Sequence, residues 1–348
     1  MNVEMHQVDG VQALRFAIAV ALRLESAHYQ SAVFSRIQRD PVSGAVSIGL
    51  VSLARAGLSS GSGGEMGQML TRRRMIGSAL GLAVLPRPLR AASPLRLGLT
   101  PVFLDNDAVV IARLRDALAV GTGQQIDLVQ RRTYAEVTGL LLEGGVDAAW
   151  VCGYPYLQHE ADFSLLGVPM WRGAPLYQSY LITAPDDPAP GLADLQGGVH
   201  AFSDPDSNSG WLVTASDLAR MGERPETFFR RTMFAYGHRN VVRAVASGLS
   251  RSGSVDGYVW DVLAQLEPEL TGATKVITKS EWLGFPPFVA LRDREDTAQV
   301  IACRAALLGM TTTETGRAAL EALRLDGVIA GDPDLFDGIR ARMRDLAG

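Results

Sequence analysis

The sequence predicts an α/β protein of two lobes around a cleft, and three observations carry that reading. From residue 95 onward, short apolar runs of strand character alternate with longer stretches of helical spacing, the signature of an α/β fold. A proline- and glycine-rich segment without apolar periodicity, residues 184–191, separates one such set from a second. A late apolar run, residues 285–291, then reads as a strand returning toward the first set.

In chain order, residues 95–99, 126–130 and 148–152 read as strands, with helices over 108–120 and 134–142 between them. Gly121-Thr122-Gly123 and Gly144-Gly145 supply the helix stops. Strands over 164–169 and 177–183 complete the first set. In the second set, 199–202, 233–236 and 257–260 read as strands, and 211–221, 239–248 and 261–266 as helices. A strand over 275–278 precedes the return, and helices over 295–310, 314–323 and 334–346 close the chain. The expected partition is therefore 94–183 for the first part of lobe one, 184–282 for lobe two, and 283–348 for the return to lobe one. No internal repeat is visible, and no apolar run is long enough to span a bilayer.

Charge changes sign along the 348 residues: residues 1–93 carry a net +5, and residues 94–348 a net −9. Lys275 and Lys279 are the only lysines, and the arginines form no run or stripe. An acidic body without basic clusters excludes nucleic-acid binding. Cys152 and Cys303 have no metal-ligand or C-x-x-C spacing. They are either buried free thiols or a disulfide pair. No cofactor motif is present, and no cofactor is expected.

The change of sign coincides with Thr71-Arg72-Arg73-Arg74-Met75-Ile76, a twin-arginine pattern, followed by the apolar run 77–85 and the small pair Ala91-Ala92. Basic, then apolar, then small is the layout of an export signal. Residues 66–93 are read as that signal, and residues 1–65 as a misassigned start or a disordered extension.

Residues 203–212, Ser203-Asp204-Pro205-Asp206-Ser207-Asn208-Ser209-Gly210-Trp211-Leu212, join a buried strand to a helix. Small hydroxyl and amide side chains at a helix start leave backbone N–H groups pointing outward, where the helix dipole adds partial positive charge. Such a turn can hold an anion. Serine and asparagine are also preferred as plain helix caps, so capping and anion binding are both open at this point.

Several runs, in order and suitably spaced, resemble the substrate-binding proteins of phosphate, phosphite and phosphonate ABC transporters. They are Leu97-Gly98-Leu99-Thr100-Pro101, Arg132-Thr133-Tyr134, Val146-Asp147-Ala148-Ala149-Trp150, Tyr177-Gln178-Ser179-Tyr180, residues 204–212, Gly237-His238-Arg239-Asn240 and Val255-Asp256-Gly257-Tyr258-Val259-Trp260. The resemblance implies the type II periplasmic binding protein fold, each lobe a mixed sheet flanked by helices, with the ligand in the cleft between lobes. In that family an oxyanion is held by a Ser/Thr/Ser-type loop opening a helix, a histidine, aromatic hydroxyls and an acidic residue. Carried over by motif, these are Ser207, Asn208 and Ser209, His238, Tyr134 and Tyr177, and Asp256. Tyr154 is added because it follows the end of a strand, where α/β folds place ligands. His238 is expected to become charged beside an anion, and Asp256 to accept the proton of a monoprotonated oxyanion. One departure stands out. Where phosphonate-binding members carry an Asp in an Asn-Asp-Pro-like turn, this chain has Gly284-Phe285-Pro286-Pro287-Phe288, with no carboxylate for a ligand amine.

The resulting expectation is an exported, periplasmic, monomeric binding protein that takes a small oxyanion to an ABC permease and meets the membrane only through that permease. Two rivals stand beside it: a sensor input protein with the same ligand, and a hydrolase using Ser209, His238 and Asp256. The lack of a Gly-x-Ser-x-Gly elbow counts against the hydrolase.

Overall fold

The structure is a computed structural model in which residues 35–39, 46–50, 93–101 and 108–347 are described. The chain divides into two units, Met1–Val84 and Leu85–Gly348. In the first, strands Ser35–Arg39 and Val46–Leu50 pair antiparallel, with Ile37 opposite Ile48. The sequence reading does not anticipate this pair. The twin-arginine pattern and the apolar run that follows it lie outside the described residues.

The second unit holds two mixed sheets, one of six strands and one of five. In the six-stranded sheet, Leu95–Leu99 runs parallel to Ile126–Gln130 and Ala148–Trp150, as a strand–helix–strand unit requires. Phe288–Leu291 enters antiparallel between Ala148–Trp150 and Phe163–Met170, and Gly327–Ile329 adds the far edge. The five-stranded sheet repeats the plan. Val199–Phe202 lies parallel to Arg231–Phe234 and Ser252–Asp256, while Ser179–Thr183 runs antiparallel beside Ser252–Asp256 and pairs outward with Lys275–Lys279. Ala148–Trp150 is buried and apolar throughout, whereas the equally buried Ser179–Thr183 keeps a Tyr-Leu-Ile centre between polar ends. The helix Ala108–Thr122 buries Val110, Leu114, Ala117 and Leu118 at helical spacing and packs on Ala298–Leu308 and Glu314–Leu323.

The two lobes are joined by a crossed pair of segments. Leu176–Tyr177, leaving the first sheet, pairs antiparallel with Leu283–Gly284, which returns to it. The crossing therefore falls at residues 177–179, ahead of the segment read as a linker. The extended run read as one strand over 177–183 is split at Gln178, and Ser179–Thr183 already belongs to the second sheet. Residues 184–191 form a loop within the second lobe, tied down by the Arg251 guanidinium on Asp187 at 2.7 Å and 3.1 Å. Proline and glycine there mark a turn after a strand, not the interlobe passage.

A second correction concerns residues 257–260, read as a strand. The strand is Ser252–Asp256, and Gly257 opens the helix Gly257–Leu266. Asp256 decides the matter, because its carboxylate accepts the Val259 N–H at 3.2 Å and caps the helix. The buried residues Tyr258, Val259, Val262 and Leu263 then fall on one helical face.

The C-terminal helix Asp337–Ala347 straps across to the second lobe through Arg342. Its guanidinium, 3% exposed, donates to both carboxylate oxygens of Glu281, to Asp217, to the Val213 carbonyl and to Ser216. Cys152 and Cys303 are both buried and free. Among the described residues, no helix is long and apolar enough to cross a membrane.

Candidate functional site

Helix starts from both lobes converge at the carboxyl ends of the parallel strands. Tyr134 opens Tyr134–Leu142 in the first lobe, while Asn208, His238 and Gly257 open helical segments in the second. Each start is fixed locally. Thr133 caps the first helix, accepting the Glu136 N–H at 3.2 Å, and the Glu136 carboxylate returns the bond to the Thr133 N–H. Gly237 adopts φ +150°, a setting open to glycine, and so turns His238 inward from the strand end.

Three bonds cross between the lobes here. The Tyr134 hydroxyl lies 3.2 Å from His238 Nε2. The Tyr134 N–H donates to Asp204 Oδ2 at 3.2 Å, and the Asn208 N–H donates to Cys152 Sγ at 3.3 Å. At the hinge, Asn208 Nδ2 donates to the Tyr177 hydroxyl at 2.8 Å.

The protein groups that surround His238 favour a neutral ring. Its Nδ1 accepts the Asp256 backbone N–H at 3.1 Å, so the ring proton sits on Nε2 and points to the Tyr134 oxygen. Burial lowers its pKa to about 3, leaving a neutral ring. With Nε2–H as donor, the Tyr134 proton is free for another acceptor.

The loop of residues 203–212 is a polar shell turned inward. Ser207 Oγ accepts the Gly210 N–H at 2.9 Å, which caps the segment and leaves the Ser207 proton to donate. The segment Asn208–Leu212 is a wide turn of π type, in which the Leu212 N–H reaches the Ser207 carbonyl at 3.0 Å. Such widened turns recur at functional sites. Only glycine fits at residue 210, since a Cβ there would lie 1.8 Å from Ser203 Oγ and 2.7 Å from its Cβ. Ser203 Oγ, Asn208 Oδ1 and Ser209 Oγ are buried and make no hydrogen bond of normal geometry. Ser209 Oγ still lies close enough to the Tyr177 hydroxyl to favour its ionised form.

Electrostatically the site is short of water rather than rich in charge. Burial raises Asp256 to about 7 against the partial relief of the Val259 and Tyr258 N–H groups. Burial also raises Asp204 and Asp206, holds the Tyr134 and Tyr177 hydroxyls far above their usual range, and lifts Cys152 to about 11. The arrangement offers buried hydroxyl, N–H and imidazole donors beside carboxyls whose pKa values burial raises. That combination suits a small anion and the hydrogen it carries.

Of the residues singled out in the sequence, Ser207, Asn208, Ser209, His238, Tyr134, Tyr177 and Asp256 are brought together. Tyr154 is not. Its ring is half-buried and stacks on Trp211 with centroids 6.0 Å apart, where the helix Gly153–Gln158 faces the wide turn. Asp204, Cys152 and Ser203 also belong to the cluster, and the sequence reading does not single them out as ligand contacts. Asp204 lies inside the quoted loop, but its contact to Tyr134 depends on tertiary placement. The turn lacking a carboxylate is a wall: Phe285 packs edge-on to Tyr177 and Tyr258, with centroids 5.6 Å and 5.2 Å away. The Pro286 carbonyl takes the Trp150 indole N–H at 2.9 Å.

The family described as "ABC transporter, phosphonate, periplasmic substrate-binding protein" matches residues 97–336. The chain belongs to this family. A curated relative, the phosphate-import protein PhnD of Mycolicibacterium smegmatis (strain ATCC 700084 / mc(2)155), is 30% identical over 182 residues, 49% of this chain and 57% of that protein. The match thus spans less than two thirds of that relative's length. Among solved structures, a binding protein component of an ABC phosphonate transporter from Pseudomonas aeruginosa aligns with a TM-score of 0.67 and 22% identity, over 73% of this chain and 88% of that one. PhnD1 from Prochlorococcus marinus (MIT 9301), solved in complex with methylphosphonate, aligns with a TM-score of 0.64 and 15% identity, over 73% and 98% of the two chains. Both carry the same two-lobed fold, so the substrate-binding proteins of this family and the present chain share their architecture.

Proposed function

We propose that this chain is the solute-binding component of an ABC importer, capturing a small phosphate-, phosphite- or phosphonate-like oxyanion between its lobes for delivery to a permease. The twin-arginine pattern supports export to the periplasm by that route, and the donors named here all come from one copy of the chain, which supports a monomer. The observation that carries the reading is the inward set of donors at the helix starts, with Ser203 Oγ and Ser209 Oγ buried and unbonded beside them. A buried hydroxyl without a partner costs ~1–3 kcal/mol, a cost that a bound anion's oxygens remove.

Capture without conversion is supported by the partners of His238. Its Nδ1 faces a backbone N–H, so Asp256 cannot orient it as the base of a hydrolytic triad, and its Nε2 meets Tyr134 rather than Ser209. A thermal-shift screen of the purified chain against phosphate, phosphite, phosphonates, sulfate and sulfonates tests the proposal. An oxyanion at a hundredfold its dissociation constant stabilises by ~2.7 kcal/mol. No shift with any oxyanion overturns it. Permease and ATPase genes beside this one favour the importer, and a histidine kinase gene in their place the sensor.

A further inference from the structure

Asn208 occupies the middle position of the loop, and its amide has two ends with different fates. Nδ2 donates to the Tyr177 hydroxyl at 2.8 Å, while Oδ1 is buried with no partner. Nδ2 is the donor of that bond, so the Tyr177 oxygen supplies the lone pair and the amide oxygen is left over. The backbone around it uses none of this acceptor capacity: the Asn208 N–H is spent on Cys152 Sγ, and the residue is 0% exposed. An amide oxygen is an acceptor only. Left unpaired against a fully proton-free oxyanion, it adds repulsion to desolvation.

We propose that Asn208 Oδ1 accepts a hydrogen carried by the ligand, making Asn208 a specificity-determining residue for oxyanions that keep a P–OH over proton-free ones such as sulfate and sulfonates. The inference rests on the oxyanion reading of the site and deepens it. The donor is the P–OH group rather than a ligand amine. Phe285, Pro286 and Pro287 line the turn where an ammonium group would need a carboxylate, and Phe285 closes it at 1% exposure. A pocket built to bond a ligand hydroxyl rejects the analogue that lacks it because its own polar atom is left unpaired.

The test is calorimetry on the purified full chain at slightly acidic pH, with phosphate, methylphosphonate, 2-aminoethylphosphonate, sulfate and methanesulfonate. Phosphate is expected to bind the wild type at least ~100-fold more tightly than sulfate. Asn208→Leu, close in size without the acceptor, is expected to lose about tenfold or more for phosphate and methylphosphonate while sulfate affinity holds or rises. Asn208→Ala reads the same ratio if the leucine variant does not fold. An equal loss for phosphate and sulfate assigns Asn208 a structural role and overturns the proposal. A loss confined to 2-aminoethylphosphonate also overturns it, naming the amine as donor. Binding of no oxyanion by the wild type overturns the site reading itself, and this inference with it. Wild-type binding with an unchanged ratio in both variants overturns the inference alone.

Discussion

The Tyr134 hydroxyl and His238 Nε2, 3.2 Å apart, join the first residue of a helix in one lobe to the first residue of a helix in the other. The contact is buried, so its donor and acceptor have no water to fall back on. Tyr134→Phe removes the hydroxyl with little change of shape and leaves the His238 proton unmet. We expect oxyanion affinity to fall by about tenfold, in line with a net ~0.5–1.5 kcal/mol per bond, with circular dichroism unchanged. Wild-type affinity in calorimetry would take Tyr134 out of the site.

Stability should rise with pH in the upper part of the window from about pH 4 to 6.5. His200 and His238 are held neutral, with pKa lowered to about 3, so each binds a proton on unfolding in this window. Asp256, raised to about 7, works the other way, since it sheds its proton on unfolding above the ordinary carboxylate value. Asp204 and Asp206, also raised by burial, act in the sense of Asp256 at the acid end, so the two histidines set the sign in the upper part of the window. Chemical denaturation across the range measures the slope. Imidazole proton signals of His200, clamped between Ser252 and Ser254 at 2.7 Å and 2.9 Å, should show no titration at mildly acidic pH.

Ligand affinity follows a different profile, set by Asp256. An anion beside its carboxyl raises the pKa further, so binding above about pH 7 takes up a proton and weakens as pH rises. Asp204, also raised by burial, adds to the trend. Asp256→Asn should flatten the affinity between neutral and alkaline pH. A wild-type affinity that increases with pH would remove Asp256 from ligand contact.

Gly210→Ala and Gly139→Ala form a matched pair. The first drives a methyl to 1.8 Å from Ser203 Oγ and should abolish binding by displacing the loop. The second meets nothing within 4 Å in the middle of a helix. It is expected to stabilise by ~0.5–1 kcal/mol with binding intact. Thermal melts and calorimetry on both variants separate a packing effect from a site effect.

Arg342→Met tests the C-terminal strap. The substitution keeps the stem's packing but strands Glu281, Asp217 and the Val213 carbonyl. Because both carboxylates are partly exposed and can rehydrate, the cost should be about 2 kcal/mol, below that of a fully buried pair. That corresponds to a melting temperature lower by several degrees.

The alternation of strand and helix was legible because apolar spacing and glycine stops are local. Leu95–Leu99, Ile126–Gln130 and Glu314–Leu323 fall where the pattern puts them. The passage between lobes was not, because what makes Leu176–Tyr177 a hinge is its pairing with Leu283–Gly284, more than a hundred residues away. At residues 257–260, apolar composition argued for a strand and the Asp256 cap overruled it. For the site, residue types with a known chemistry at a helix start could be picked out. The neutral tautomer of His238 could not, since it is dictated by a backbone N–H brought in by another strand. That the Tyr154 ring stacks on Trp211 depends on tertiary placement and could not be read from the strand end that precedes it.

That last pair has a practical side. Tyr154 belongs to the first lobe and Trp211 to the second, and their rings stack at 6.0 Å only while the two halves are together. Both are half-buried, so parting them moves an indole from a ring face into solvent. Trp211 is one of five tryptophans, so its emission, once separated from that of the other four, is the built-in optical gauge of lobe opening, with no dye to attach.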